Sequence, residues 1–217
     1  INKLSHISDI SRATTRLMLG RGGPRDLIAL ADSLKNAEKI REILEQQSQD
    51  LPETLYNLCK QLTSLTDFYD HIHKAITREC GVFARDGNFI ALNYHAALDE
   101  LRSLKSQGQK HIAALQSKYA SDTEINNLKI KHNNMLGYFI EITQSNQSKV
   151  SDQFIHRQTL ANNLRYTTTE LSELERNIYE SADKALKLEL EIFDSLLSQV
   201  SEHYDAIMRI ADAVAEI

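Results

Sequence analysis

Two prolines and seven glycines in 217 residues leave little material for turns. Ordinary chains carry about 5% proline and about 7% glycine. A Rossmann-like domain or a β-sandwich needs such punctuation at most strand ends. The shortage therefore predicts a mainly α chain with long helices. The hydrophobic fraction of 41% and charged fraction of 25% belong to a folded chain rather than a disordered one. No run approaches 18 uncharged apolar residues, so no membrane helix and no membrane partner are expected. Ile1–His6 lacks a basic stretch followed by an apolar one, so no signal peptide is read there, and the missing initial Met points to a segment of a longer chain. Cys59 and Cys80 fit two reduced thiols in a cytoplasmic protein.

Apolar spacing places the helices. Lys3–Leu19 reads as one helix with Leu4, Ile7, Ile10 and Leu17 on a stripe, stopped by Gly20-Arg21-Gly22-Gly23. Pro24 suits the first turn of the next, which carries Leu27, Leu30, Leu34 and Ile40, with Asp26 near its positive end. Another starts near Pro52 and runs through Leu65, and a short one covers His71–Ile76. Asp86-Gly87-Asn88 reads as a turn. From His95 to Tyr119 the period becomes seven: Leu98, Lys105, Ile112 and Tyr119 on one line, Leu101, Gly108 and Leu115 on the other. Heptads return from Thr168, with Leu171, Ile178, Ala185 and Ile192, capped by Thr168 or Thr169. At 1.5 Å per residue, a helix from Thr168 to Val200 would span roughly 50 Å. Between the two heptad regions, Leu128, Ile130 and Phe139–Thr143 have strand character, and Gly137 marks a bend or bulge. The expected architecture is an antiparallel pair of long helices, a helical base and a small β-rich insert at the far end.

Charge is distributed unevenly over these parts. Residues 1–125 are neutral overall, 126–166 carry +3, and 168–217 carry −8, within a chain whose net charge is −5. The basic segment is also rich in amide and hydroxyl side chains. Lys129, Lys131, Asn133, Asn134, Lys149, His156, Arg157, Gln158, Thr159, Asn162, Asn163 and Arg165 are its candidate anion-binding residues. Lysine and arginine neutralise phosphates, and amides and hydroxyls donate hydrogen bonds to their oxygens. Tyr138, Phe139, Phe154 and Tyr166 are needed for a small core, which favours contact with a nucleic-acid backbone over stacking on bases. Catalytic and metal constellations are not found. The Gly20–Gly23 run lacks the following Gly-Lys-Ser/Thr and the preceding strand of a phosphate loop. His71 and His73, two apart, fall on different sides of a helix.

Several runs carry a resemblance. Asn127-Leu128-Lys129-Ile130-Lys131-His132-Asn133, followed by Gly137-Tyr138-Phe139-Ile140-Glu141-Ile142-Thr143, is similar to a conserved stretch of the bacterial MutS DNA mismatch repair family. So are Arg157-Gln158-Thr159-Leu160-Ala161-Asn162, Arg165-Tyr166-Thr167-Thr168-Thr169-Glu170-Leu171, Gly20-Arg21 with Pro24-Arg25-Asp26-Leu27, and Leu98-Asp99-Glu100-Leu101-Arg102. They stand in the family's order over about Ile7–Leu196.

The resemblance implies a helical core over 1–94, an ascending lever helix over 95–125, a β-rich clamp over 126–166, and a descending lever helix returning to the core over 167–217. It also implies a clamp that touches the backbone of double-stranded DNA, with no enzymatic activity of its own. ATP and Mg²⁺ would belong to the longer parent alone, with a homodimer and a MutL-type protein as its partners. Phe139-Ile140-Glu141 has the form of the family's mismatch wedge but lies within the clamp strand, where Glu141 is expected to make a structural contact. His156, Ala161 and Leu164 stand where the family pattern has Arg, Lys and Glu, which weakens the electrostatic case. Lys129, Lys131, Lys149 and Asn162 are the favoured phosphate contacts. The competing expectation is a structural coiled-coil adaptor that binds another protein through its heptad faces.

Overall fold

The computed structural model describes residues 4–47 and 51–217. The helices are α1 (Ile10–Met18), α2 (Pro24–Gln46), α3 (Glu53–Gln61), α4 (Thr66–Ala75), α5 (Ala96–Asp122), α6 (Thr169–Glu202) and α7 (Tyr204–Glu216). The strands are β1 (Lys129–Asn133), β2 (Gly137–Thr143), β3 (Ile155–Thr159) and β4 (Asn163–Thr167). The fold is mainly α with one small antiparallel sheet, as the shortage of turn residues predicts. The chain divides into two compact units, one of residues 1–95 with 186–217, the other of 96–185.

In the first unit α2 packs against α1, α3, α4 and α7. Leu27, Leu30, Ala31 and Leu34 supply its buried stripe. Pro24 opens α2, and the Asp26 carboxylate accepts the Gly23 N–H at 2.9 Å, placing a negative charge at the helix's positive end. The single helix expected over Lys3–Leu19 is broken. Asp9 accepts the Arg12 N–H at 2.8 Å and caps α1, and only a 3-10 turn at Leu4–His6 precedes it. Lys3 lies outside the described residues. Local capping by an aspartate outweighs a continuous apolar stripe here.

The helix expected over His71–Ile76 is the end of the longer α4, and Ile76 itself pairs with Ile90 in an isolated antiparallel bridge. The helix expected to reach Leu65 ends at Gln61. Asp86-Gly87-Asn88 is a turn, and the Asn88 N–H donates to the buried Glu189 carboxylate at 2.6 Å. Both cysteines are free thiols, buried in this unit.

In the second unit α5 and the first half of α6 run antiparallel. Gly108 faces Ile178 and Tyr119 faces Thr168. Ile112, Leu115 and Tyr119 on α5, with Leu171 and Ile178 on α6, form one core with the sheet's Ile140, Ile142, Leu164 and Tyr166. Of the heptad positions, Leu98, Gly108, Ile112, Leu115 and Tyr119 are buried, while Leu101 and Lys105 are only half-buried. On α6 the seven-residue step holds from Leu171 through Ile178 to Ala185. It then gives way to Glu189, Phe193, Leu196 and Val200, and Ile192 is only half-buried. Steps of four, four, three and four make the broader stripe of a globular helix. The change falls where α6 passes from one unit to the other.

Gly108 explains the narrow seam. A Cβ there would sit 2.4 Å from Ile178 Cγ1, inside van der Waals contact with a β-branched side chain that has few rotamers to retreat into. Gly108→Ala is expected to destabilise the 96–185 unit by about 1–3 kcal/mol despite alanine's better helix propensity, measured as a lower urea midpoint.

Candidate nucleic-acid interface

The sheet order is β1-β2-β4-β3, with every neighbouring pair antiparallel. Alternation along each strand sorts the side chains onto two faces. Ile130, Ile140, Ile142, Leu164 and Tyr166 share the face that packs on the helices. Lys129, Lys131, Phe139, Glu141, Asn163, Arg165 and Gln158 share the other by register. Lys129, Lys131 and Arg165 therefore fall on the face opposite the core, the two lysines because they flank Ile130 in β1.

Three junctions hold the sheet. Thr168 Oγ1 accepts the Leu171 N–H at 3.0 Å, capping α6, and shares a 2.7 Å hydrogen bond with Tyr119 Oη near the end of α5. Of the two threonines proposed as caps, Thr168 fills the role. On the β1 edge, the Ile130 N–H donates to Gln116 Oε1 at 2.8 Å. The β1–β2 hairpin is strapped to α6, where Glu175 Oε1 accepts the Tyr138 N–H at 3.0 Å and His132 Nε2 lies 2.6 Å from Tyr179 Oη. Gly137 has φ +68° at this turn, and a Cβ there would lie 1.8 Å from Glu175 Oε1. It marks a hairpin turn, not a bulge. The bulge lies instead at Arg157, between the β3 residues paired with Tyr166 and Arg165.

The outward face carries a polar ladder across all four strands. Lys131 Nζ on β1 lies 2.6 Å from Glu141 Oε1 on β2, and Arg165 Nε on β4 lies 3.2 Å from Glu141 Oε2. Arg165 Nη1 donates to Gln158 Oε1 on β3 at 2.9 Å, and its guanidinium stacks 4.5 Å from the centre of the Phe139 ring. The Lys131 ammonium's hydrogen bond, aided by the Arg165 guanidinium, holds the Glu141 carboxyl below its ordinary value against the opposing effect of burial. Glu141 thus makes a structural contact, and Phe139 is buried beneath Arg165 rather than presented as a wedge.

The proposed residues separate into two groups. Seven already have partners within the protein. Besides Lys131, Gln158 and Arg165, these are Asn133, Lys149, His156 and Thr159. Asn133 Oδ1 accepts the Met135 and Leu136 N–H groups at 3.0 and 2.8 Å and shapes the hairpin turn. Lys149 Nζ donates to the Glu124 carbonyl at 3.1 Å, at the negative end of α5. His156 Nε2 lies 3.0 Å from Thr159 Oγ1. The other five, Lys129, Asn134, Arg157, Asn162 and Asn163, have side chains without a hydrogen bond or ion pair among the described residues. Lys129 and Arg157 lie on the two edge strands of the sheet, and Asn162 lies in the exposed β3–β4 loop.

Gln116, Glu175 and Tyr179, which position the sheet, escape a sequence reading because each sits on a heptad helix where polar residues default to solvent. The position of Glu175 four residues after the seam's Leu171 was the available signal.

The Gly20–Pro24 loop is no phosphate cradle. Its Arg21 and Gly22 N–H groups bond the Arg16 carbonyl, its Gly23 N–H bonds Asp26, and Arg16 pairs with Asp26 at 3.3 Å. Among the described residues no group of three His, Cys, Asp or Glu side chains could hold a metal ion. No helix is long and apolar enough to cross a membrane.

The ladder has a pH signature. Glu141 is more acidic in the folded chain than its ordinary value of 4.5. Its contribution to stability is therefore complete above that value and is lost as pH falls through the lower folded value. Urea midpoints measured across the acid range should fall less steeply for Glu141→Gln than for the parent chain.

Residues 93–184 match the model of MutS family domain IV. The DNA mismatch repair protein MutS of Bartonella tribocorum is 42% identical over 214 residues, covering 95% of this chain and 23% of that protein. MutS of Bartonella henselae is 43% identical over 215 residues, again covering 95% of this chain and 23% of the relative. MutS of a Ruegeria species is 43% identical over 214 residues, with 96% and 24% covered. The chain spans about a quarter of the length of these curated relatives. The match covers residues 96–184 of the 96–185 unit, and with near-full coverage of this sequence by MutS proteins the chain belongs to the MutS family.

Proposed function

We propose that this chain is the core and clamp part of a DNA mismatch repair protein, in which the outward face of the sheet grips the backbone of double-stranded DNA without reading its sequence. The observation that carries the reading is the disposition of charge. Lys129, Lys131 and Arg165 accompany one carboxylate, Glu141, on the exposed side of a sheet whose other side is core, and Arg157 stands exposed in the bulge of the β3 edge strand, in a chain that is acidic overall. The cations on the edge strands, Lys129 and Arg157, together with the Asn162 amide, are the phosphate contacts. Phe139, Phe154 and Tyr166 are buried and Tyr138 is half-buried against the core, which favours backbone contact over base stacking.

In this reading α5 and α6 act as levers. They would relay the position of the clamp to an ATPase domain elsewhere in a longer, cytoplasmic parent that binds ATP and Mg²⁺, forms a homodimer and meets a MutL-type partner. This part performs no chemistry. Its residues bind and orient DNA, and no step passes through a nucleotide here.

Binding to matched and G·T-mismatched duplexes across a salt series tests the reading. Two phosphate-neutralising cations predict a log–log slope of roughly −2 for both duplexes. Lys129→Ala or Arg157→Ala should each weaken binding to every sequence and reduce the slope by about 1. Absence of binding at low salt would contradict the clamp and favour a protein-binding role for the α5–α6 pair, whose groove beside Gly108 exposes Leu104.

A further inference from the structure

We infer that Glu141 is an attenuator of the DNA grip, holding Lys131 in reserve so that the face contacts phosphates with fewer cations than it displays. The inference rests on the backbone-clamp reading and concerns the strength and release of that contact.

The geometry distinguishes the cations by what holds them. Arg165 is fixed from three sides. Glu141 takes its Nε, Gln158 takes Nη1, and the Phe139 ring lies under its guanidinium. It would remain in place if Glu141 lost its charge, because an amide oxygen could still accept the Nε hydrogen and the other two contacts do not involve Glu141. Among the described residues the Lys131 ammonium has one partner, the Glu141 carboxylate at 2.6 Å. Its side chain is 49% exposed while that of Glu141 is 12% exposed. A flexible ammonium at the surface is thus tied to a carboxylate that is itself recessed and cannot follow it outward.

A phosphate approaching Lys131 must compete with this short, charge-assisted bond. Lys129 lies one strand repeat away on the same face, about 7 Å along β1, and has no such tether among the described residues. The two lysines look equivalent in sequence and differ only in register. Lys131 lies diagonal to Glu141 and bonds to it, whereas Lys129 lies directly opposite Glu141 and does not. An interface that must close and reopen gains from this arrangement. Counterion release makes each added phosphate contact steepen the salt dependence and raise affinity, and the carboxylate keeps one contact out of play.

The test measures duplex affinity across the same salt series for the parent chain, Glu141→Gln, Lys131→Ala and the double variant. Glu141→Gln should bind roughly threefold to tenfold tighter at low salt, with a slope steeper by about 0.9, the increment for one further phosphate. The double variant should return to parent affinity. Lys131→Ala alone should change binding less than twofold, while Lys129→Ala weakens it. Thermal unfolding monitors the fold of each protein.

Unchanged or weaker binding by folded Glu141→Gln would overturn the inference. So would tightening that survives in the double variant. If Glu141→Gln does not fold, Lys131→Ala decides: a loss equal to that of Lys129→Ala means Lys131 is already a contact, and the inference fails. A parent chain that binds while these comparisons fail removes only the attenuator. Absence of binding by the parent and every variant removes the clamp reading and the inference with it.

Discussion

The hydrogen bond between Tyr119 and Thr168 joins the places where the chain leaves one long helix and enters the other. Tyr119 is almost fully buried, so its hydroxyl requires a partner, and Thr168 uses the same oxygen to cap α6. A buried hydroxyl left unpaired would cost about 1–3 kcal/mol. This pairing keeps the ends of α5 and α6 together and leaves the 46 residues between them, 123–168, to fold as a sheet against their shared seam. Gly108 then permits close approach further along the same pair. Everything proposed for the outward face depends on the inward face being held in this way.

Electrostatics on the outward face is a matter of allocation. The segment's formal charge of +3 overstates what is presented to a ligand, because Lys131 and Arg165 share Glu141, and Lys149 is committed to the α5 carboxyl end. What remains lies at the edges of the sheet. Edge strands are liable to pair with other chains unless charge or a bulge interrupts them. Arg157 sits in the β3 bulge, and Lys129 lies on β1 beside the Gln116 cap, so the groups proposed to hold DNA also discourage edge pairing. One set of side chains can serve both needs without a dedicated device for either.

The helices were legible because their signals are local. Pro24 and Asp26 mark the start of α2, and Leu171, Ile178 and Ala185 keep a seven-residue step while α6 faces a single partner helix. The same local signals explain the misses. An apolar stripe does not reveal that Asp9 would cap a new helix, and a heptad projected to Ile192 does not know where the helix acquires broader packing. In the sheet, the composition identified a basic segment, and the resemblance identified Glu141 as a structural residue. Neither could separate Lys129 from Lys131. That distinction arises from cross-strand register, which depends on the hairpin turn set by Asn133 and Gly137 and on the strap from Glu175. Site residues become distinguishable only when strands are paired.

The most direct test of the account is a backbone amide NMR titration of the chain with a short duplex at low salt. The account predicts that shifts concentrate at Lys129, Arg157, Gln158 and Asn162 and leave the α5–α6 groove around Leu104, Gly108 and Ile178 unchanged. Shifts confined to that groove, or none anywhere on the sheet, would contradict a DNA-facing sheet.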